Sequence, residues 1–149
     1  MRIQVLTQED AFYIPRILDF LFERRTDVVG VAIVPGELQP GHAQRYWKMM
    51  GMRDFALQLM NLLWHRAMDL LSRVPRLSHS YSVAGAARRA HVRCAAVPRV
   101  NAPEFLARLR EQGVDLVVSV ACPQKLGPDL LALPGHGCIN LHGALLPRY

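Results

Sequence analysis

Apolar residues recur along this chain with two spacings, and the spacing switches from one segment to the next. Ile3 and Val5 share one face of an alternating run over residues 1–6, which predicts a strand. Thr7-Gln8-Glu9-Asp10 is a polar turn, after which Phe12, Ile14, Ile17, Leu18, Leu21 and Phe22 recur at helical spacing. Pro15 falls in the first turn of that helix, where a missing N–H is harmless. The β-branched run over residues 27–34 predicts a second strand, buried on both faces, and Pro35-Gly36 and Pro40-Gly41 mark a loop after it. Further strands are predicted over residues 92–97, over 114–121 as a fully buried strand, and over 138–142, with short helices over 81–90 and 128–133. Asn101 reads as an N-cap ahead of Pro103 and Glu104, with Phe105, Leu106 and Leu109 as the buried stripe and Gly113 as the residue that ends the helix. Strands alternating with helices predict an α/β fold with a Rossmann-like, doubly wound, mostly parallel sheet.

One segment departs from this rhythm. Residues 45–73 predict a long helix in which Asp54, Gln58, Asn61, His65, Asp69 and Ser72 form a narrow polar stripe. Leu, Met, Trp47, Phe55 and Trp64 fill most of the remaining circumference. A helix so apolar all round is expected to pack on more than one side, in the core or against another subunit. The stripe is too thin and too little basic for an interfacial membrane helix.

Composition narrows the class. A chain of 149 residues, 51% of them apolar, is about one domain and large enough to bury a core. No apolar run is long enough to cross a bilayer, and residues 1–30 lack the basic, apolar and small-residue succession of a secretory signal. Cys94, Cys122 and Cys138 are odd in number and form no Cys-x-x-Cys pair, so they read as reduced, buried thiols of a cytoplasmic protein with no zinc site. The net charge of +6 is localised. No acidic residue lies between Asp69 and Glu104, whereas Arg73, Arg76, Arg88, Arg89, Arg93 and Arg99 do, and those six account for the entire excess. Such a segment suits a phosphate-bearing partner, RNA or nucleotide, and equally a solvated surface. The first strand-to-helix turn carries no Gly-x-Gly-x-x-Gly and the chain no Walker-type loop, which argues against nicotinamide, flavin and P-loop chemistry.

Candidate chemistry gathers near residue 140. Asn140 and His142 are two apart on the last predicted strand, so they point to one side of it. The carboxyl end of a strand is where open α/β sheets place ligands. An amide there can donate to a developing oxyanion, and an imidazole can hold or pass a proton near neutral pH. By themselves the two residues also fit a turn cap and a buried histidine.

The run Asn140-Leu141-His142-Gly143-Ala144-Leu145-Leu146-Pro147 resembles the Asn-x-His strand and Leu-Leu-Pro-type turn of the folate-dependent formyltransferases, and the resemblance extends back to about residue 91. It also takes in Val114-Asp115-Leu116-Val117-Val118-Ser119-Val120-Ala121 and Leu130-Leu131-Ala132-Leu133-Pro134. The resemblance implies transfer of a formyl group from 10-formyltetrahydrofolate to a primary amine, on an amino sugar of a nucleotide or on an aminoacyl-tRNA, with Asn140 and His142 as the catalytic pair. It implies that the loop Ala121-Cys122-Pro123-Gln124-Lys125-Leu126 meets the folate, mainly through backbone groups, or that Lys125 reaches its glutamate tail. It implies no metal. Thr7-Gln8-Glu9-Asp10 lacks both the Gly-Ser-rich phosphate turn of the relatives that act on glycinamide ribonucleotide and the Gly-Thr-Pro-x-Phe-type opening of those that act on tRNA. In the family an Asp that orients the histidine follows the Leu-Leu-Pro turn by a few tens of residues, beyond Tyr149. Residues 1–149 are therefore expected to be the N-terminal part of a formyltransferase catalytic domain, oligomeric or poorly soluble and inactive in isolation. The alternative is a non-catalytic Rossmann-like ligand-binding module.

Overall fold

The computed structural model describes residues 1–36, 42–71 and 80–141, and only the backbone of residues 42–50. Five strands form one sheet: β1 (Ile3–Thr7), β2 (Val28–Ile33), β3 (Cys94–Ala96), β4 (Leu116–Val120) and β5 (Cys138–Leu141). Their order is β3-β2-β1-β4-β5, and every neighbouring pair is parallel. The helices are α1 (Ile14–Arg24), α2 (His42–Leu71), α3 (Val83–Arg89), α4 (Pro103–Glu111) and α5 (Pro128–Ala132). This is the doubly wound α/β architecture that the alternating pattern predicts.

Side-chain alternation in β1 divides the core into two layers. Ile3 and Val5 face Ile14 and Leu18 of α1 and Val83, Ala86 and Ala87 of α3. Leu6 faces Phe105, Leu106 and Leu109 of α4 and Leu130 of α5. All five residues of β1 are buried, because it lies between β2 and β4 with helices above and below. Gln4 is buried with them, its Nε2 donating to Val5 O at 3.0 Å. A β-carbon on Gly30 would lie 2.8 Å from Gln4 Oε1, so any larger residue there would displace the Gln4 carboxamide. β3, by contrast, is exposed at the sheet edge and is shorter than the predicted 92–97.

Pro15 sits in the first turn of α1, and Gly113, at φ +58°, takes the left-handed conformation just past α4. Asn101 does not cap α4. Its carboxamide is bonded instead to the loop after β4, and the cap position falls to Ala102, whose methyl group cannot accept a hydrogen bond.

The long apolar helix differs most from expectation. Gly51, at φ +74°, breaks α2. Beyond the break, Phe55, Leu62, His65, Met68 and Asp69 are half-buried, and the contacts of His65 and Asp69 show part of the polar stripe turned toward the body of the protein. The His65 ring meets Phe12 and Tyr81 edge-on, with centroids at 4.9 and 5.7 Å, and Asp69 Oδ1 accepts from Ser82 Oγ at 2.6 Å. Leu57, Met60, Leu63 and Trp64 remain exposed. One stripe of a helix can contact one layer, and among the described residues no second layer covers the others. Core packing of that surface is therefore not what the described chain does. Among the described residues, no helix is long and apolar enough to cross a membrane.

Leu109 is fully buried in the α4 layer. Leu109→Ala should lower the unfolding free energy by about 2–5 kcal/mol, as large-to-small core substitutions do. Urea titration followed by circular dichroism checks this, and a loss under 1 kcal/mol, on the order of a surface change, would show that α4 is not packed as described.

Candidate active site

Register brings three strand ends to one level. Thr7 pairs with Val120, and Val120 with Leu141, so the carboxyl ends of β1, β4 and β5 lie side by side at one edge of the sheet. The strand order reverses between β1 and β4, which is the position where doubly wound sheets hold ligands.

On the β1 side, the position where dinucleotide folds hold a phosphate is already filled. Asp10 Oδ1 accepts from the backbone N–H groups of Phe12, Tyr13 and Ile14 at 2.9, 2.6 and 3.0 Å. A carboxylate of the chain itself thus satisfies the free N–H groups at the start of α1, where an anion would otherwise bind. Beside it, Glu9 Oε1 accepts from Val83 N at 3.0 Å. Burial pushes the Glu9 carboxyl above its ordinary range; the Val83 N–H pulls it back, and the negative charges of Asp69 and Asp10 push it up further.

On the β4 side, the loop opens at Ala121, which has φ +51°. A left-handed alanine costs roughly 1–2 kcal/mol and persists only where its surroundings hold it. Farther along the loop, two side-chain amides tie it to the segment after β3. Gln124 Oε1 accepts from Val100 N at 3.0 Å, and its Nε2 donates to Pro98 O at 2.6 Å. Asn101 Nδ2 donates to Lys125 O at 2.9 Å, and its Oδ1 accepts from Gly127 N at 2.7 Å. Within the loop, Ala121, Pro123 and Lys125 are exposed, whereas Cys122, Gln124 and Leu126 are half-buried. Cys122 and Leu126 pack on the α4 layer of the core. Burial pushes the Cys122 thiol up, partly countered by its contact with Gln124 O, and burial likewise pushes up Cys138. Cys94 is not buried as expected: it is exposed because β3 is the edge strand, and partial desolvation with the Glu9 charge still pushes its thiol up. All three are free thiols rather than nucleophilic thiolates.

On the β5 side, Asn140 pairs with the buried Ser119 and is itself exposed. It lies two residues from Cys138, whose Sγ reaches Leu130 O, and so belongs to the α5 face of the sheet. Ile139 and Leu141 take the opposite face and are 55% and 53% exposed at this edge. His142 lies outside the described residues, as do Arg73 and Arg76. Among the described residues, no group of three or more His, Cys, Asp or Glu side chains is placed to hold a metal.

The structure therefore sets Asn140 and the 121–126 loop on adjacent strands. It also gives Asn101, expected as an N-cap, and Glu9, expected in a polar turn, long-range partners that the sequence pattern did not indicate. Asn101 has its partners 24 and 26 residues away, a distance at which no local spacing signals them. The Glu9–Val83 contact spans 74 residues.

The formyl transferase family model matches residues 69–149, more than half of the chain. Among curated proteins, the methionyl-tRNA formyltransferase of Geobacter metallireducens is 55% identical over 51 residues, 34% of this chain and 16% of that protein. Those of Halothermothrix orenii and Ruminiclostridium cellulolyticum are 52% and 43% identical over 50 and 51 residues, with the same coverage. Each match thus spans about a sixth of the relative's own length.

A pH dependence follows from Glu9. Its folded value lies above the ordinary 4.5, so between the two the folded chain holds more proton than the unfolded one. This contribution to stability is fully present below the ordinary value and is lost as the pH rises through the folded value. Glu9→Gln retains an acceptor for Val83 N–H and removes the charge. It should flatten the stability profile from pH 4.5 upward and raise stability at neutral pH. Urea melts at a series of pH values check this, and an unchanged slope would contradict it.

Proposed function

The chain belongs to the formyl transferase family, and we propose that it forms the N-terminal part of a catalytic domain that transfers the formyl group of 10-formyltetrahydrofolate to a primary amine. The observation that carries this reading is Asn140 near the end of β5, on the strand beside the one that leads into the Ala121–Leu126 loop, within the matched segment and followed in sequence by His142.

The chemistry asks little of the protein beyond placement and proton handling. The unprotonated amine attacks the formyl carbon, a C–N bond forms, and the carbonyl oxygen takes up negative charge. The bond to the folate N10 then breaks, and the proton lost by the amine ends on N10. Asn140 donates its side-chain N–H to the oxyanion, and His142 carries the proton between the two nitrogens. The folate lies against the 121–126 loop. Exposure of Ala121, Pro123 and Lys125, with Cys122, Gln124 and Leu126 turned inward, supports recognition through the loop backbone and leaves Lys125 free for the glutamate tail.

For the acceptor we favour an aminoacyl-tRNA. The matched relatives bear the name methionyl-tRNA formyltransferase, and Arg88, Arg93 and Arg99 are exposed near the β3 edge, where they suit a phosphate backbone. An amino sugar on a nucleotide is the second reading. It is favoured by the opening Thr7-Gln8-Glu9-Asp10, which precedes the family match beginning at residue 69. Free thiols at Cys94, Cys122 and Cys138 support a reducing compartment, the cytoplasm.

The test is formyl transfer from 10-formyltetrahydrofolate by the protein carrying this chain, with methionyl-tRNA and an amino-sugar nucleotide as competing acceptors. Asn140→Ala should lose about 10²–10³ in rate and His142→Ala about 10²–10⁴, both with folate affinity retained. Full activity in His142→Ala would move the chemistry to another group. Folate binding without transfer to any amine would favour the non-catalytic module.

A further inference from the structure

We propose that Asn101 and Gln124 are positioning residues for the folate: together they lock the 121–127 loop onto the β3–α4 loop and set the backbone that the ligand meets. The inference rests on the folate reading of that loop and adds to it the residues that set its affinity.

Three observations converge. Gln124, offered by the sequence as a ligand contact, has both ends of its carboxamide committed to Val100 N and Pro98 O. Its side chain is therefore a strut, and the ligand meets the backbone around it. Asn101 uses both ends of its own carboxamide on Lys125 O and Gly127 N, at the far end of the same loop. Two amides thus hold the loop at two points, and both attach to a segment anchored by the fully buried Val100. The third observation is Gly127. Its φ of −77° and ψ of 166° suit any residue, so no backbone strain calls for glycine. A β-carbon there would lie 3.0 Å from Asn101 Oδ1 and 3.2 Å from Asn101 Cγ. Glycine at 127 gives Asn101 the room to dock.

The left-handed Ala121 stands at the mouth of the loop that the clamps hold. Recognition through backbone groups has no side chain to adjust, so the loop must be set before the ligand arrives. Small misplacements remote from the reacting atoms can then cost about 10²-fold.

Binding of a stable 10-formyltetrahydrofolate analogue by calorimetry, with thermal unfolding and backbone amide exchange on the same samples, tests the proposal. Asn101→Ala, Gln124→Ala and Gly127→Ala should each weaken binding about 10-fold, the scale of one or two lost loop hydrogen bonds. Each should speed exchange at its clamp, Val100 N for Gln124 and Gly127 N for Asn101 and Gly127, and each should still unfold cooperatively. Asn101→Asp keeps the acceptor for Gly127 N, and Gln124→Glu keeps the one for Val100 N, so both should recover part of the affinity. Because Gly127→Ala and the two acid variants change few atoms, the test stands even if the alanine variants at 101 and 124 fail to fold. Unchanged affinity in folded variants with accelerated loop exchange would overturn the positioning role and leave the folate reading standing. No binding by the unsubstituted protein would overturn both.

Discussion

Parallel strands can be joined only by crossovers that pass over a face of the sheet, and the strand order decides which face each crossover takes. From β1 the chain steps outward through β2 to β3, with α1 and α3 on one face. To reach β4 it must return past β2 and β1, which puts α4 and α5 on the other face. The helices therefore part between β1 and β4, and the turns after those strands open into the same crevice. The turns after β1 and β4 owe their adjacency to that reversal, and β5, pairing with β4 on its outer side, sets Asn140 beside the strand that leads into the Ala121–Leu126 loop. The same constraint leaves β5 at the edge with Ile139 and Leu141 uncovered, because α1 and α3 serve the far half of the sheet.

The two halves of the crevice are built from opposite materials. The β1 side is closed by charge: Asp10 fills the start of α1, and the Glu9 carboxylate lies beside it among acidic neighbours. A bound phosphate would be repelled there. The β4 side is held by neutral amides. Four hydrogen bonds, each worth about 1 kcal/mol net, tie the loop to the segment after β3, and its exposed positions stay open to a ligand.

Much of this was legible because it is periodic or local. The buried runs of β1, β2 and β4, Pro15 at the start of α1 and Gly113 after α4 follow from rules that act within a few residues. The last strand, which carries Asn140, was legible in the same way, whereas the roles proposed for Asn140 and His142 come from the resemblance, and His142 lies outside the described residues. What failed to show involves partners far apart in sequence. Asn101 precedes Pro103 and Glu104 as an N-cap does, yet its carboxamide is drawn to a loop 24 residues on. Composition alone made the helix over 45–73 look buried. Orientation is set by what lies beside it, and Ser82, Phe12 and Tyr81 offer partners to Asp69 and His65 rather than to its leucines. The left-handed Ala121 gave no sign at all, since positive φ is expected of glycine or asparagine and not of alanine.

The central claim is that the folate lies between the 121–126 loop and the end of β5. A crystal structure of the protein with a bound 10-formyltetrahydrofolate analogue measures this directly. The account predicts the pterin ring hydrogen-bonded to backbone groups of Ala121–Leu126, with the N10 side of the ligand turned toward Asn140. An analogue seated instead on the Thr7–Asp10 turn, or on the exposed face of α2, would contradict it.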